Sequence, residues 1–225
     1  MDSATLLEKF RLEVFDTVEP FLWSDDEALE YMDDAHKMFC RLTDGIPDAT
    51  SDLTIIDFLA GDEWLPIDER VLKIRKAYLA STNKPVGLIN FEDLGSVTHD
   101  TYGYPIPTFL DNSTGDVTQI VLGMEQDQVR LIKIPEVDDT MRLIIYRLPL
   151  TDITATGQAF EIHQRHHVHL LHWMKHRAYS KHDAETFNKG KADEFEMKFR
   201  NYCEQSRVEG ETRRHKERTV SYGGY

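Results

Sequence analysis

The hydrophobic period of this chain changes twice, and that change constrains its fold more than any single motif does. Over the first 50 residues apolar side chains recur every three to four positions. From about Ser51 to Leu150 the apolar runs shorten, β-branched residues rise and turn clusters intervene, and after Pro149 the helical spacing returns. A three-to-four spacing gathers apolar groups on one face of a helix, whereas short runs bounded by turn residues fit strands.

Leu7, Phe10, Val14 and Val18 predict a first helix, closed off by Pro20. Ser24 followed by Glu27 predicts a capping box for a second helix. Asp25, Asp26 and Glu27 fill its first turn, where the positive end of the helix dipole favours carboxylates. Its buried stripe reads Ala28, Tyr31 or Met32, Ala35, Phe39 and Leu42, and Asp44-Gly45 with Pro47 ends it.

The middle of the chain predicts strands at Leu53–Leu59, Arg70–Leu79, Pro85–Asn90, Val117–Leu122, Gln128–Ile134 and Met141–Leu148. The stretch Tyr102-Gly-Tyr-Pro-Ile-Pro-Thr-Phe carries two prolines, which excludes it from the middle of a sheet. Two further helices are predicted at about Phe160–Tyr179 and Asp183–Ser206, the second on Ala184, Phe187, Phe195, Phe199 and Tyr202. The simplest assembly is α+β: a four-helix bundle, two helices N-terminal and two C-terminal, with an inserted antiparallel β domain and an extended C-terminal tail. The corresponding divisions are 1–50 and 151–206 for the halves of the bundle, 51–150 for the β-rich insert and 207–225 for the tail.

The chain holds 40 acids against 26 bases, a formal net charge of −14. Such a balance repels phosphate at long range and argues against a nucleic-acid binder or a protein held on an anionic membrane. No apolar run approaches the roughly 20 residues of a membrane span, and Met1-Asp-Ser-Ala-Thr lacks the basic start of a signal peptide, so a soluble protein made in the cytoplasm is expected. The charge is also uneven. Residues 1–52 carry 14 acids against 4 bases and residues 53–162 carry 17 against 9, but residues 163–225 carry 9 against 13. Charge asymmetry of this kind suggests an interaction tail or a polar assembly.

Chemistry-bearing motifs are sparse. His163, His166, His167, His169, His172 and His176 crowd one predicted helix, and the pairs His163/His167 and His172/His176 have the four-residue spacing of two metal ligands. The six positions spread around the helix, no third ligand is nominated and the H-E-x-x-H pattern is absent, so packing against neighbouring elements is favoured and neither metal nor cofactor is expected. Cys40 and Cys203 each follow an aromatic residue and read as reduced, buried small hydrophobes. Carboxylate pairs such as Asp57/Asp62 or Asp138/Asp139 are what forty acids produce by chance, and no catalytic residue is nominated. The tail from Val208 onward has no apolar period. It reads as a peptide that orders on a partner, with Arg213, Arg214, Lys216 and Arg218 pairing to acids and Val220, Tyr222 and Tyr225 as anchors.

Three stretches, taken in order, resemble the head-to-tail adaptor proteins of tailed bacteriophages, the group that includes the tail tubular A proteins of short-tailed phages. Trp23-Ser-Asp-Asp-Glu-Ala-Leu-Glu-Tyr-Met-Asp-Asp-Ala is similar to that family's second helix, W-s-D-e-e-L-l-x-y-l-N-e-A. Trp64-Leu-Pro-Ile-Asp-Glu-Arg-Val-Leu-Lys-Ile-Arg-Lys-Ala is similar to its "lP-x-d-x-x-x-i-x-x-v" segment. The most specific is His169-Leu-Leu-His-Trp-Met-Lys-His-Arg-Ala-Tyr-Ser-Lys-His-Asp-Ala-Glu-Thr-Phe-Asn-Lys-Gly-Lys-Ala, which resembles "L-x-x-y-a-l-x-x-A-y-x-x-x-D-a-e-t-x-d-x-x-k-A".

The resemblance implies a non-enzymatic virion protein at the head-tail junction, forming a homo-oligomeric ring, commonly of twelve subunits. The ring would contact the portal protein above and a tail nozzle or stopper protein below, and genomic DNA would pass through its lumen without specific binding. The competing expectation from another class is an enzyme, either a His-ligated metal hydrolase or a peptidoglycan-cleaving virion protein, which metal content and cell-wall lysis would reveal.

Overall fold

A computed structural model describes residues 1–95, 97–99, 105–107, 110–182 and 186–214. The chain divides into two compact units, Met1–Ile46 together with the chain from Leu148 onward, and Pro47–Arg147.

The first unit is helical. Helix α1 spans Ser3–Val14, and its first turn is capped by Asp2, whose carboxylate accepts from the Thr5 amide at 3.0 Å. Helix α2 spans Asp25–Leu42 behind the Ser24/Glu27 capping box, formed in both directions as the spacing predicts. A 3-10 turn, Gln164–His169, leads into α3 at Leu170–Ser180, and α4 runs over Lys189–Arg214. Helices α1, α2 and α4 all pack on α3. Their shared core includes Leu6, Phe10, Met32, Phe39, Leu170, Met174 and Phe199. Polar ties fix the register of this packing: the Trp173 indole N–H donates to Asp34 at 2.7 Å, Lys181 pairs with Glu27 at 2.6 Å, and Lys175 pairs with Glu13.

Helix α1 ends at Val14, four residues before Val18, the last residue of the predicted stripe, and well short of Pro20. Phe15 takes the left-handed conformation, φ 61°, and closes the helix as its C-cap. Val18 therefore leaves the stripe of Leu7, Phe10 and Val14 and is exposed. The connection to α2 instead winds around Asp16, whose carboxylate accepts from the amides of Leu22 at 2.9 Å and Trp23 at 3.3 Å and from the Arg11 guanidinium at 3.0 Å. Arg11 also donates to the Trp23 carbonyl, pairs with Asp25, and lies 3.6 Å from the centre of the Phe21 ring.

The second unit is a sheet. Its strands are β1 Ile46–Asp48, β2 Ile55–Phe58, β3 Trp64–Pro66, β4 Val71–Leu79, β5 Pro85–Asn90, β8 Gln119–Glu125, β9 Gln128–Ile132 and β10 Asp139–Arg147, while β6 Val97–His99 and β7 Pro105–Pro107 form a separate antiparallel pair. The eight strands follow the order β1-β10-β4-β5-β8-β9-β3, with β2 also pairing β10. Buried residues of seven strands, among them Ile74, Ile120, Leu131, Met141, Leu143 and Ile145, make a core of their own. Also in this unit, Arg147 pairs with Asp48 at 2.5 Å with both side chains nearly shut off from water.

These facts overturn the expected four-helix bundle with an antiparallel insert and extended tail. The sheet is the main body, and it is mixed, because β5 and β8 run parallel with Gly87 opposite Gln119 and Asn90 opposite Leu122. Parallel neighbours need a long crossover, and the stretch from Phe91 to Thr118 supplies its length. Nor do the helices form a bundle around one seam. Helix α4 buries only a narrow line, Ala192, Phe199 and Cys203, and leaves most of its length in solvent. The third predicted helix is also interrupted, since residues 164–169 take the tighter 3-10 form before α3 begins.

Candidate functional site

The tail nominated by sequence begins on a helix. Helix α4 continues past Ser206 to Arg214, held by side-chain pairs one turn apart: Lys198 with Glu194 at 2.6 Å, Arg200 with Glu196 at 2.8 Å, and Arg207 with Glu204 at 2.8 Å and Glu211 at 2.6 Å. Arg213 lies 3.8 Å from Glu209. Such pairs each lend an exposed helix a small, salt-sensitive increment of stability. The structure thus places Arg213 and Arg214 at consecutive positions of α4. Lys216, Arg218, Val220, Tyr222 and Tyr225 lie outside the described residues. The longer helix was signalled by the acid-base spacing of Glu204, Arg207 and Glu211, which carries on where the apolar period stops.

The histidines are packing groups. His166, His169 and His176 face α4. The Nδ1 of His166 meets the Tyr202 hydroxyl at 2.8 Å, the His169 ring stacks on Tyr202 with centroids 3.5 Å apart, and the Nδ1 of His176 meets the Ala192 carbonyl at 3.0 Å. His172 lies parallel to Phe195. Arg165 donates through Nε to the Nε2 of His166 at 3.0 Å, which leaves Nδ1 as the protonated nitrogen of a neutral ring. His163 caps the 3-10 turn by accepting from the Arg165 amide. His167 sits between two carbonyls, Met1 at 2.8 Å and Ile162 at 2.9 Å, and so ties the start of the chain to the approach to α3. Neither four-residue pair converges on a point. Among the described residues no group of three or more His, Cys, Asp or Glu is placed to hold a metal ion.

Several of these imidazoles are held neutral. Burial pushes His36, His166 and His172 down to about 4, and for His166 the neighbouring Arg165 adds to the effect. His36 is fully enclosed, with neither ring nitrogen hydrogen-bonded among the described residues and its ring edge-on to Phe160 at 5.4 Å. The thiols are equally withdrawn: Cys40 and Cys203 are buried and not joined in a disulfide, and burial pushes Cys203 up to about 12.

The carboxylate pairs are spent on local architecture. Asp57 accepts from the Thr140 hydroxyl at 2.6 Å, Asp62 from the Leu59 amide at 2.8 Å, and Asp138 from the Ala60 amide at 2.8 Å. Burial opposes ionisation of Asp139, but hydrogen bonds from the Ser81 hydroxyl and the Thr140 amide outweigh it and hold this carboxyl below its usual range. A general acid needs the opposite shift.

Two surface features went unread in the sequence. The α1–α2 corner exposes four large apolar residues, Leu12 (63% exposed), Phe15 (91%), Val18 (77%) and Leu22 (46%). Glu8, Leu12 and Phe15, at positions i, i+4 and i+7, follow one face of α1 to its end. The second feature is a row of exposed cations on β4 and β10: Lys73, Arg75, Lys76 and Arg142. The signal for the first was Phe15 and Val18 falling on either side of a turn, and for the second it was three bases within four residues of an otherwise acidic sheet unit.

Against known proteins, the family model described as SU10 adaptor protein matches residues 1–220. No curated protein matches the chain.

Proposed function

The chain belongs to the SU10 adaptor protein family, and from that premise we propose that it is the head-to-tail adaptor of a tailed bacteriophage, of the tail tubular A kind. In this reading it is a structural, non-enzymatic component of the virion. Copies form a ring, commonly of twelve subunits, beneath the portal, a tail nozzle or stopper protein seats on the opposite side, and DNA passes through the lumen. The carrying observation is the family match, which takes in both compact units and reaches into the basic tail.

The charge distribution supports the same reading. A conduit must not grip the polymer that slides through it, and a wall built from the acidic residues 1–162 repels phosphate. The basic remainder suits docking. Arg213 and Arg214 on the last turn of α4, followed by Lys216, Arg218, Val220, Tyr222 and Tyr225, form a segment able to order on the portal. No helix among the described residues is long and apolar enough to cross a membrane.

Electron microscopy of the full chain mixed with the portal protein encoded beside it tests the proposal. The expected image is a ring of added density on the portal, with the adaptor alone remaining monomeric at the dilution used for imaging. Truncation after Arg214 leaves α4 intact and is expected to abolish that density. A full-length chain that leaves the portal bare would defeat the adaptor reading, and a truncated chain that still docks would remove the tail from it.

A further inference from the structure

We propose that the exposed apolar corner between α1 and α2 docks onto the basic outer face of β4 and β10 in a second copy of this chain. The inference rests on the ring-forming adaptor reading and names the surfaces that would make the ring.

The basic face is built by strand register. On β10, Arg142 lies opposite Tyr78 of β4 and Ile55 of β2, and Ile144 lies opposite Lys76. The register shifts between Ile144 and Ile145, which leaves Arg75 as an extra residue, so Arg75 and Lys76 are both exposed between the buried Ile74 and Ala77. Elsewhere in this unit arginines are neutralised, Arg70 by Asp68, Arg130 by Glu63 and Arg147 by Asp48. Lys73, Arg75, Lys76 and Arg142 have no ion-pair partner among the described residues. The guanidinium of Arg75 lies over the Tyr146 ring, and the exposed Ile55 and Ile144 flank the cations. Unneutralised like charges side by side repel one another, and an acidic partner relieves that repulsion.

The corner is the complement. Phe15 holds a left-handed backbone conformation that favours glycine, while its ring stands almost wholly in water. A bulky aromatic residue at such a position is unfavourable twice over in the isolated chain, which is the signature of a group that a partner covers. Leu12, Val18 and Leu22 surround it in sequence, and the Leu22 amide is fastened to Asp16, the next residue along. The exposed acids here without an ion-pair partner among the described residues are Glu8, Glu19 and Asp26, while Glu13 and Asp25 pair with Lys175 and Arg11. An acidic apolar knob on the helical unit and a basic apolar face on the sheet unit are different patches on one chain. Their pairing is heterologous, the type of contact that closes into rings. Duplex DNA is a poorer occupant of the basic face, because isoleucines interleaved with the cations offer phosphate nothing and the chain as a whole carries −14.

The test places the photoreactive analogue p-benzoylphenylalanine at position 15 of the full chain, where an exposed side chain leaves the core untouched. Equal amounts of isotopically light and heavy protein are irradiated at high concentration and low salt, and cross-linked peptides are identified by mass spectrometry. The expected product joins position 15 of one copy to residues 71–79 or 141–147 of another. Lys76→Glu with Arg142→Glu is expected to lower its yield at least about tenfold by setting acid against acid. Cross-links that fall elsewhere, or an absence of cross-links between copies, overturn the proposal. So does a labelled DNA duplex that binds the wild type, fails to bind the double variant and blocks the cross-link. If rings form on the portal while position 15 cross-links elsewhere, this inference falls and the adaptor reading stands. If the cross-link forms as stated but the portal stays bare, the interface stands and that reading falls.

Discussion

Arg11 and Asp16 meet at 3.0 Å with both side chains almost completely removed from water, and the whole α1–α2 connection is arranged around them. Asp16 satisfies the amides of Leu22 and Trp23, and Arg11 satisfies the carbonyl of Trp23, so the ion pair replaces backbone hydrogen bonds that an irregular segment cannot make for itself. Removing Asp16 takes away the buried partner of Arg11, leaves it only the exposed Asp25 as an ionic partner, and strips the Leu22 and Trp23 amides of their acceptor. Asp16→Ala is expected to destabilise the helical unit by about 3–5 kcal/mol, read as a lower midpoint in chemical denaturation. The double variant Asp16→Ala with Arg11→Met should recover part of that loss. A single variant as stable as the wild type would show that the pair does not organise the corner.

Acid should weaken the helical unit. His36, His166 and His172 have folded pKa values near 4, below the ordinary 6.5 of an imidazole. The unfolded chain therefore binds protons that the folded chain refuses. The stabilisation is fully present above about pH 6.5 and is lost progressively as pH falls toward 4. His36 is enclosed without a partner among the described residues, and its share is about 3 kcal/mol at the acid end of that window. His36→Leu is expected to flatten the fall in unfolding midpoint between pH 7 and pH 4.5. An unchanged slope would assign the acid sensitivity to other groups.

The parts of this fold that were legible in the sequence are the ones fixed by local chemistry. The second helix could be placed from Ser24, Glu27 and its apolar stripe because a cap and a stripe act within a few residues. Strand β5 was read at Pro85–Asn90 for the same kind of reason. That β5 pairs in parallel with β8 was not legible, since pairing partners are chosen by contacts distant in sequence and each strand looks the same whichever neighbour it takes. The four-helix bundle was inferred from four stripes without knowing how much of each is covered, and the thin buried line of α4 is what that inference could not see. Of the nominated tail residues, Arg213 and Arg214 fall on a helix because charge pairs one turn apart extend it beyond the last aromatic residue. The exposed corner escaped notice because Val18 continues the apolar spacing on paper, whereas Phe15 has already turned the chain.

Cys203 should be chemically silent in the folded protein. Its sulfur lies in the core of the helical unit, and burial pushes its thiol up to about 12, so almost no thiolate forms near neutral pH. Thiolate is the reactive form. Alkylation of Cys203 at pH 8 is expected to be at least about a hundredfold slower in native protein than in denaturant, measured by mass spectrometry over time. Rapid labelling of the native chain would mean that α4 leaves α3 readily.

The far end of α4 should respond to charge in the opposite way from the α1–α2 corner. Arg207 reaches Glu204 on one side and Glu211 on the other, and all three are largely in water. Pairs of this sort contribute little to global stability and weaken with salt. Arg207→Ala is therefore expected to leave the global unfolding midpoint nearly unchanged, because the core contacts of Phe199 and Cys203 lie on the preceding turns. What should change is local. Once the bridge is gone, two acids face each other across the last turns without the cation between them, and the helix frays back from Arg214 toward Cys203. Hydrogen exchange should accelerate at the amides of residues 205–214 and at no other described part of the helix. Raising the salt concentration of the wild type should move exchange in the same direction. Exchange that stays slow at these amides in the variant would mean that something other than the charge ladder holds the end of α4, and the helix would then outrun its apolar stripe for a reason unrelated to its paired charges.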